Sequence, residues 1–198
     1  MKIGVIGAGA TGLTVAYELV KAGHQVMLYE RSPFVGGQAS TFNLNGTRLE
    51  RGYHHLFTSD VDMVSLMEDI GLGHRLRWIA STVGVFHGGR IHDFVTPMDL
   101  LKFTPLSLGD RVRLGLVSMY LRHKTDWRDL EAVTAARWLR SVAGKNAYDV
   151  FWGPMLRGKF GESYYQDVSM AWVWGKIHTR FTSRGKHLGR EMLGYPIG

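Results

Sequence analysis

The chain opens on a short apolar run at residues 3–6, whose length and β-type residues predict a buried strand. Glycines follow at once. Residues 11–21 place Leu13, Ala16, Tyr17 and Val20 at helical spacing, and Gly23 stands where a helix C-terminus is capped. A second apolar run, residues 25–29, ends at Glu30. Strand, helix and strand within about thirty residues make the βαβ unit of a parallel sheet. Pro33 and the pair Gly36-Gly37 break the pattern. Residues 41–44 and 47–51 then flank Asn45-Gly46, a strong hairpin turn. Residues 60–70 read as a helix ending before Gly71, and residues 82–94 as a second hairpin turning at His87-Gly88-Gly89-Arg90.

After Pro97 the pattern becomes helical, over residues 107–124, 133–143 and 148–155, with dense aromatics such as Trp127, Trp138, Trp152 and Trp172. The expected fold is α/β. Residues 1–80 form a Rossmann-like region that binds the ADP part of a dinucleotide, and residues 81–198 form a mostly helical cap or substrate region with some strands. A doubly wound sheet needs about five or six parallel strands. The pattern supplies two, so the parallel sheet is expected to be incomplete and the chain truncated at its C-terminus. Residues 193–198 then read as the lead into a further element.

Composition narrows the class. Hydrophobic residues make up 45%, enough for a packed core, and the 25 glycines fall at turns rather than in a repeat. The net charge of +7 favours anionic partners, but Lys and Arg are scattered and no helix-turn-helix, zinc-finger or RNA-binding signature occurs. Nucleic acid is therefore not an expected partner. Cysteine is absent, which excludes disulfides, thiolate metal sites and a cysteinyl-linked flavin. No secretory signal pattern is present and no apolar run of about 18 residues occurs, so cytoplasmic location is the expectation.

The chemistry is carried by Gly7-Ala8-Gly9-Ala10-Thr11-Gly12, a full GxGxxG between a strand and a helix. Gly7 permits the tight turn, Gly9 lets the backbone approach a pyrophosphate, and Gly12 lets the helix pack on the strand. Free N–H groups at the helix start attract the phosphates. Glu30, at the end of the second strand, is placed to accept hydrogen bonds from the adenosine ribose and to repel a 2′-phosphate, which disfavours NADP. Arg31 flanks the same position. At this point NAD and FAD remain equal.

Residues 30–41 separate them. The Gly36-Gly37 pair after Glu30 resembles the extended fingerprint of the FAD-dependent amine oxidase superfamily, which includes protoporphyrinogen oxidases, phytoene desaturases and amine oxidases. The family pattern continues Gly-Gly-Arg, with a Thr or Ser nearby. Here Gln38 replaces the arginine, which points toward desaturase-like or protoporphyrinogen-oxidase-like relatives. Gly36 and Gly37 let the backbone pass beside the pyrophosphate, and Gln38 donates a hydrogen bond without adding charge. Residues 51–57, with His54 and His55, resemble the strand that passes near the flavin in that superfamily. If this segment is extended, the two histidines face opposite sides and one of them, His54, faces the cofactor. The resemblance is specific over residues 1–57 and diffuse at residues 154–161 and 193–198.

The resemblance implies an FAD-dependent oxidoreductase that moves a hydride from a substrate C–H to the flavin, the substrate being an amine or a hydrophobic or cyclic compound. Alternatives are a non-redox flavin mutase of the sugar-nucleotide type, an inactive truncated chain, and a NAD-dependent dehydrogenase, the last opposed by Gly36-Gly37. No catalytic acid or base is assigned; His54, His55 and Lys159 are candidates. No metal is expected. The helix over residues 107–124 mixes apolar and basic positions. It reads first as buried in the cap, and otherwise as the wall of a channel for a greasy molecule or as a peripheral membrane contact. Residues 170–174 read as core packing or as an aromatic substrate platform.

Overall fold

In the computed structural model, which describes residues 1–184 and 190–197, the first apolar run is strand β1 (Lys2–Ile6) and helix α1 (Ala10–Lys21) follows it. Strand β2 (Gln25–Tyr29) runs parallel to β1, in register from Lys2–Gln25 to Ile6–Tyr29. The end of α1 is closed as the sequence predicts. Gly23 takes φ 82°, its N–H donates to Val20 O, and the His24 N–H donates to Leu19 O. Strands β3 (Thr41–Leu44) and β4 (Thr47–Glu50) form a hairpin whose turn residues Asn45 and Gly46 both have positive φ, at 50° and 84°. These elements make up one compact unit, Met1–His55. Its parallel sheet has two strands, as does its hairpin sheet, and Ala8 is its one fully buried hydrophobic residue among the described residues. Ile6, at the end of β1, remains 91% exposed.

The second unit, Leu56–Gly198, contains the main core. It begins with β5 (Leu56–Phe57), α2 (Val61–Asp69), β6 (Leu76–Ala80) and the hairpin of β7 (Gly84–His87) and β8 (Arg90–Asp93). Helices α3 (Pro97–Lys102), α4 (Leu108–His123), α5 (Arg128–Glu131), α6 (Ala135–Val142) and α7 (Lys145–Ala147) follow. A π-helical turn, Tyr148–Trp152, leads into α8 (Gly153–Phe160), then α9 (Met170–Thr182) and β9 (Met192–Pro196). Hydroxyl N-caps fix four helix starts: Thr96 for α3, Ser107 for α4, Thr134 for α6 and Ser169 for α9. The core is helical: Leu114, Val117 and Leu121 of α4 share one buried cluster with Leu139 of α6, Leu156 of α8 and Val173 of α9. At its edge the fully buried Glu191 pairs with Arg180 at 2.8 Å and accepts a hydrogen bond from Ser81.

Four expectations change. The units divide after residue 55, whereas the sequence pattern placed the boundary at 80. The reason is β9: it lies between β5 and β6 and pairs antiparallel with both, which draws residues 56–80 into the second unit. Residues 193–197, expected to lead into another element, are part of or directly follow that central strand; Gly198 lies outside the described residues. The extended segment expected over 51–57 reduces to Leu56–Phe57. The helix expected over 148–155 becomes a π-turn continuing as α8 to Phe160, with Pro154 in the first turn of α8, where its missing N–H is tolerated. Residues 170–174 open α9 and send Met170 and Val173 into the core.

Leu139 is fully buried and Leu116 is 67% exposed. Leu139→Ala is expected to cost about 2–5 kcal/mol in urea unfolding. Leu116→Ala is expected to stay within about 0.5 kcal/mol.

Candidate functional site

Three glycines build the turn from β1 into α1, and each is constrained differently. Gly7 has φ 97°, and its N–H donates to Tyr29 O at 2.7 Å, fastening the turn to β2. A Cβ on Gly12 would lie 1.9 Å from Gly7 O and 3.7 Å from Val5 Cγ1, so the helix could not sit this close to the strand with any side chain there. Gly9 is under neither constraint. Its backbone is extended (φ −78°, ψ −179°) and nothing lies within 4 Å of its would-be Cβ. No neighbour in the chain demands glycine at this position; what its bareness preserves is the open space before the helix.

That space faces an uncapped helix start. Gly9 is the N-cap of α1 and brings no side-chain acceptor, and the first turn holds no acid. The first intrahelical bond is Leu13 N–H to Gly9 O, so the N–H groups of Ala10, Thr11 and Gly12 have no carbonyl within the helix. Such a terminus carries a partial positive charge and suits an anion. Helices α4, α6 and α9 each have a hydroxyl at the same position.

Two other segments close on this loop at Ala8, which is fully buried. The Ala8 N–H donates to Glu30 Oε2 at 2.7 Å, and the Ala8 carbonyl accepts from the Gly36 N–H at 2.7 Å. Gly9 and Gly36 form a parallel bridge. A Cβ on Gly37, which has φ 55°, would stand 3.1 Å from Gly9 Cα. The Gly-Gly pair therefore lets two stretches of backbone touch at the mouth of the helix.

Glu30 is exposed, and its second oxygen accepts the Ser32 N–H at 2.7 Å. The hydrogen bonds from Ser32 and then Ala8 hold its carboxyl below the ordinary carboxylate range. Each oxygen takes one N–H and retains a lone pair for a hydroxyl donor. The carboxylate thus holds the loop in shape while remaining able to accept from a sugar.

The structure brings Gly7, Ala8, Gly9, Ala10, Thr11, Gly12, Glu30, Gly36 and Gly37 together. Arg31 stands exposed beside Glu30. Gln38 lies against Gly52: its carbonyl accepts the Gly52 N–H at 3.1 Å, and its Oε1 would be 2.9 Å from a Cβ there. His54 turns back on its own segment, with Nδ1 2.8 Å from Gly52 O and 3.5 Å from Glu50 Oε2. This local turn is why residues 51–55 are not extended. Lys159 lies on α8, in the second unit. Among the described residues no three His, Cys, Asp or Glu side chains form a metal cluster.

Two contributors were not assigned from sequence. Ser32 acts through its main-chain N–H, which no residue-type signal reveals. Arg51 lays its guanidinium 4.1 Å from the centroid of the Phe34 ring, next to the Gly-Gly pair; the local pairing of residues 51–52 with 38–40 brings it there.

Comparison with known proteins gives three findings. The family model described as flavin containing amine oxidoreductase matches residues 10–190. The chain is 32% identical to a zeta-carotene desaturase of Synechocystis sp., over 78% of this chain and 36% of that protein. The chain thus spans little more than a third of that relative's length. In fold it is similar to an oxidoreductase from Methanosarcina mazei (TM-score 0.69, 22% identity, 98% of this chain and 45% of that one). It is also similar to a reduced UDP-galactopyranose mutase (TM-score 0.66, 21% identity, 98% and 43%).

Substitutions separate the two kinds of glycine. Gly12→Ala should unfold or distort the first unit, seen as lost protease resistance of the full-length protein. Gly9→Val should leave the fold intact by circular dichroism and abolish retention of a bound dinucleotide; stoichiometric retention would contradict this placement of the diphosphate. Because Glu30 titrates below the ordinary carboxylate value, its hold on the loop is complete above that range and disappears as pH falls through its own lower value. Cofactor dissociation should therefore rise at acid pH, and Glu30→Gln should flatten that rise.

Proposed function

Because the chain belongs to the flavin containing amine oxidoreductase family, we propose that it holds the ADP end of FAD in an oxidoreductase that withdraws hydride from a C–H of an apolar small molecule. The cofactor is FAD. The residues fit it: a bare helix start for the diphosphate, and a carboxylate kept ionised at the ribose position. The observation that carries the reading is the meeting of the glycine turn, Glu30 and Gly36-Gly37 at Ala8.

Bound FAD supplies the hydride acceptor, and the protein supplies binding and orientation. In this chain the N–H groups of Ala10, Thr11 and Gly12 hold the diphosphate, Glu30 fixes the sugar, and Gly9 keeps the approach clear. An apolar substrate is favoured by likeness in sequence to a carotenoid desaturase. Fold likeness alone does not separate this reading from a mutase, since both kinds of protein share the architecture. The sequence relative tips the balance toward redox chemistry.

The test uses the full-length protein. It is expected to purify yellow, to release FAD on denaturation, and to lose its flavin colour when a polyene hydrocarbon is added without oxygen. A colourless preparation that rejects FAD and binds NAD would remove the reading. Bleaching by amines alone would move the substrate class, and turnover of a nucleotide sugar by reduced enzyme would favour the mutase.

A further inference from the structure

Helix α4 has two apolar faces, and the core uses one. Leu114, Val117 and Leu121 are buried. Leu108, Val112, Leu116, Met119 and Tyr120 recur at helical spacing on the other side and are 40–67% exposed. Burial, the first reading of this helix from its sequence, therefore accounts for three of its eight apolar residues. The outward stripe has neighbours of the same character. On α3, Met98 and Leu101 are exposed, and α3 is tied to α4 by Arg111 donating to Leu101 O. On the β7–β8 hairpin the cross-strand pair Phe86 and Ile91 is 73% and 74% exposed, and Arg90 at its turn reaches Thr104 between α3 and α4.

The charges identify what fits. At about 100° per residue, Arg111 and Arg122 fall along one border of the stripe, Arg113 along the other, and Asp110 on the inward side. Lys124, on the same border as Arg113, is paired with Asp129 at 2.9 Å, and Arg122 lies over the Phe181 ring. Arg111 and Arg113 donate to main-chain carbonyls of Leu106, Leu101, Val142 and Ser141, which hold each guanidinium in place without neutralising it. Residues 84–124 contain six Arg and Lys against three Asp. An apolar stripe bordered on both sides by cations is complementary to an acyl layer beneath anionic headgroups. A mostly uncharged or acidic protein face would leave one of these two features unmatched.

We propose that the outward face of α4, with α3 and the β7–β8 hairpin beside it, is a surface that seats the protein on an anionic lipid bilayer. Among the described residues no helix is long and apolar enough to cross a membrane, so the contact lies in the interface plane. The inference rests on the second unit alone and stands apart from the cofactor reading.

The experiment is sedimentation of the full-length protein with vesicles of phosphatidylcholine, with and without phosphatidylglycerol. The protein should sediment with the anionic vesicles, and less so as salt rises. A Leu108→Glu, Leu116→Glu double variant should partition about tenfold or more weakly, with thermal unfolding unchanged because both positions lie on the surface. Three results would overturn the proposal: no sedimentation with either vesicle, wild-type partitioning by the variant, or an oligomer in solution that the variant dissociates. Loss of folding in the double variant would also overturn it, since it would mean that the rest of the protein covers this face.

Discussion

The candidate site depends on the backbone of one residue. Ala8 gives its N–H to Glu30 and receives the Gly36 N–H at its carbonyl, so the glycine turn, the end of β2 and the Gly-Gly segment are joined at one peptide unit. Everything proposed for the first unit requires this junction. It sets the shape of the helix mouth, keeps the Glu30 carboxylate ionised beside it, and brings two bare backbones into contact at Gly9 and Gly37. The junction is made almost wholly of main-chain groups, which explains why glycine matters so much here: a side chain at Gly12 or Gly37 would push apart strands of backbone rather than flexible groups.

The two units are stabilised unequally. The second contains a helical core in which α4, α6, α8 and α9 bury Leu, Val, Met and aromatic side chains. The first has hydrogen bonds, a tight turn and a single fully buried apolar residue among those described. Two parallel strands with one crossover helix leave apolar positions such as Ile6 and Met27 in contact with water. Hydrophobic burial therefore stabilises the second unit much more than the first, and the first holds its shape chiefly through directional bonds.

Likeness of fold does not fix chemistry here. The architecture is common to an oxidoreductase and a mutase, and neither likeness reaches 25% identity. The argument for redox chemistry comes from the sequence relative together with the family match across residues 10–190, and the constellation at Ala8 bears on the cofactor alone. The outward face of α4 adds a property that depends on neither: an apolar stripe placed by helical periodicity and bordered by fixed cations.

Local rules were sufficient for much of this chain. The βαβ unit, the closure of α1 at Gly23 and the Asn45-Gly46 hairpin all follow from interactions within a few residues, so the sequence by itself determined them. The GxGxxG turn and its acidic partner were legible for the same reason, since strand, turn and helix are contiguous. Strand β9 was not legible. Met192–Pro196 contains a glycine and a proline and has weak strand propensity; it pairs because β5 and β6 hold it from both sides and because Gly194 leaves room for the Trp78 ring. The Ser32 and Ala8 bonds to Glu30, the turn of His54 toward Gly52, and the choice of which apolar face of α4 enters the core were likewise decided only by tertiary structure. In each case the competing local states are close in energy, and contacts between residues distant along the chain, or main-chain groups with no residue-type signature, make the selection.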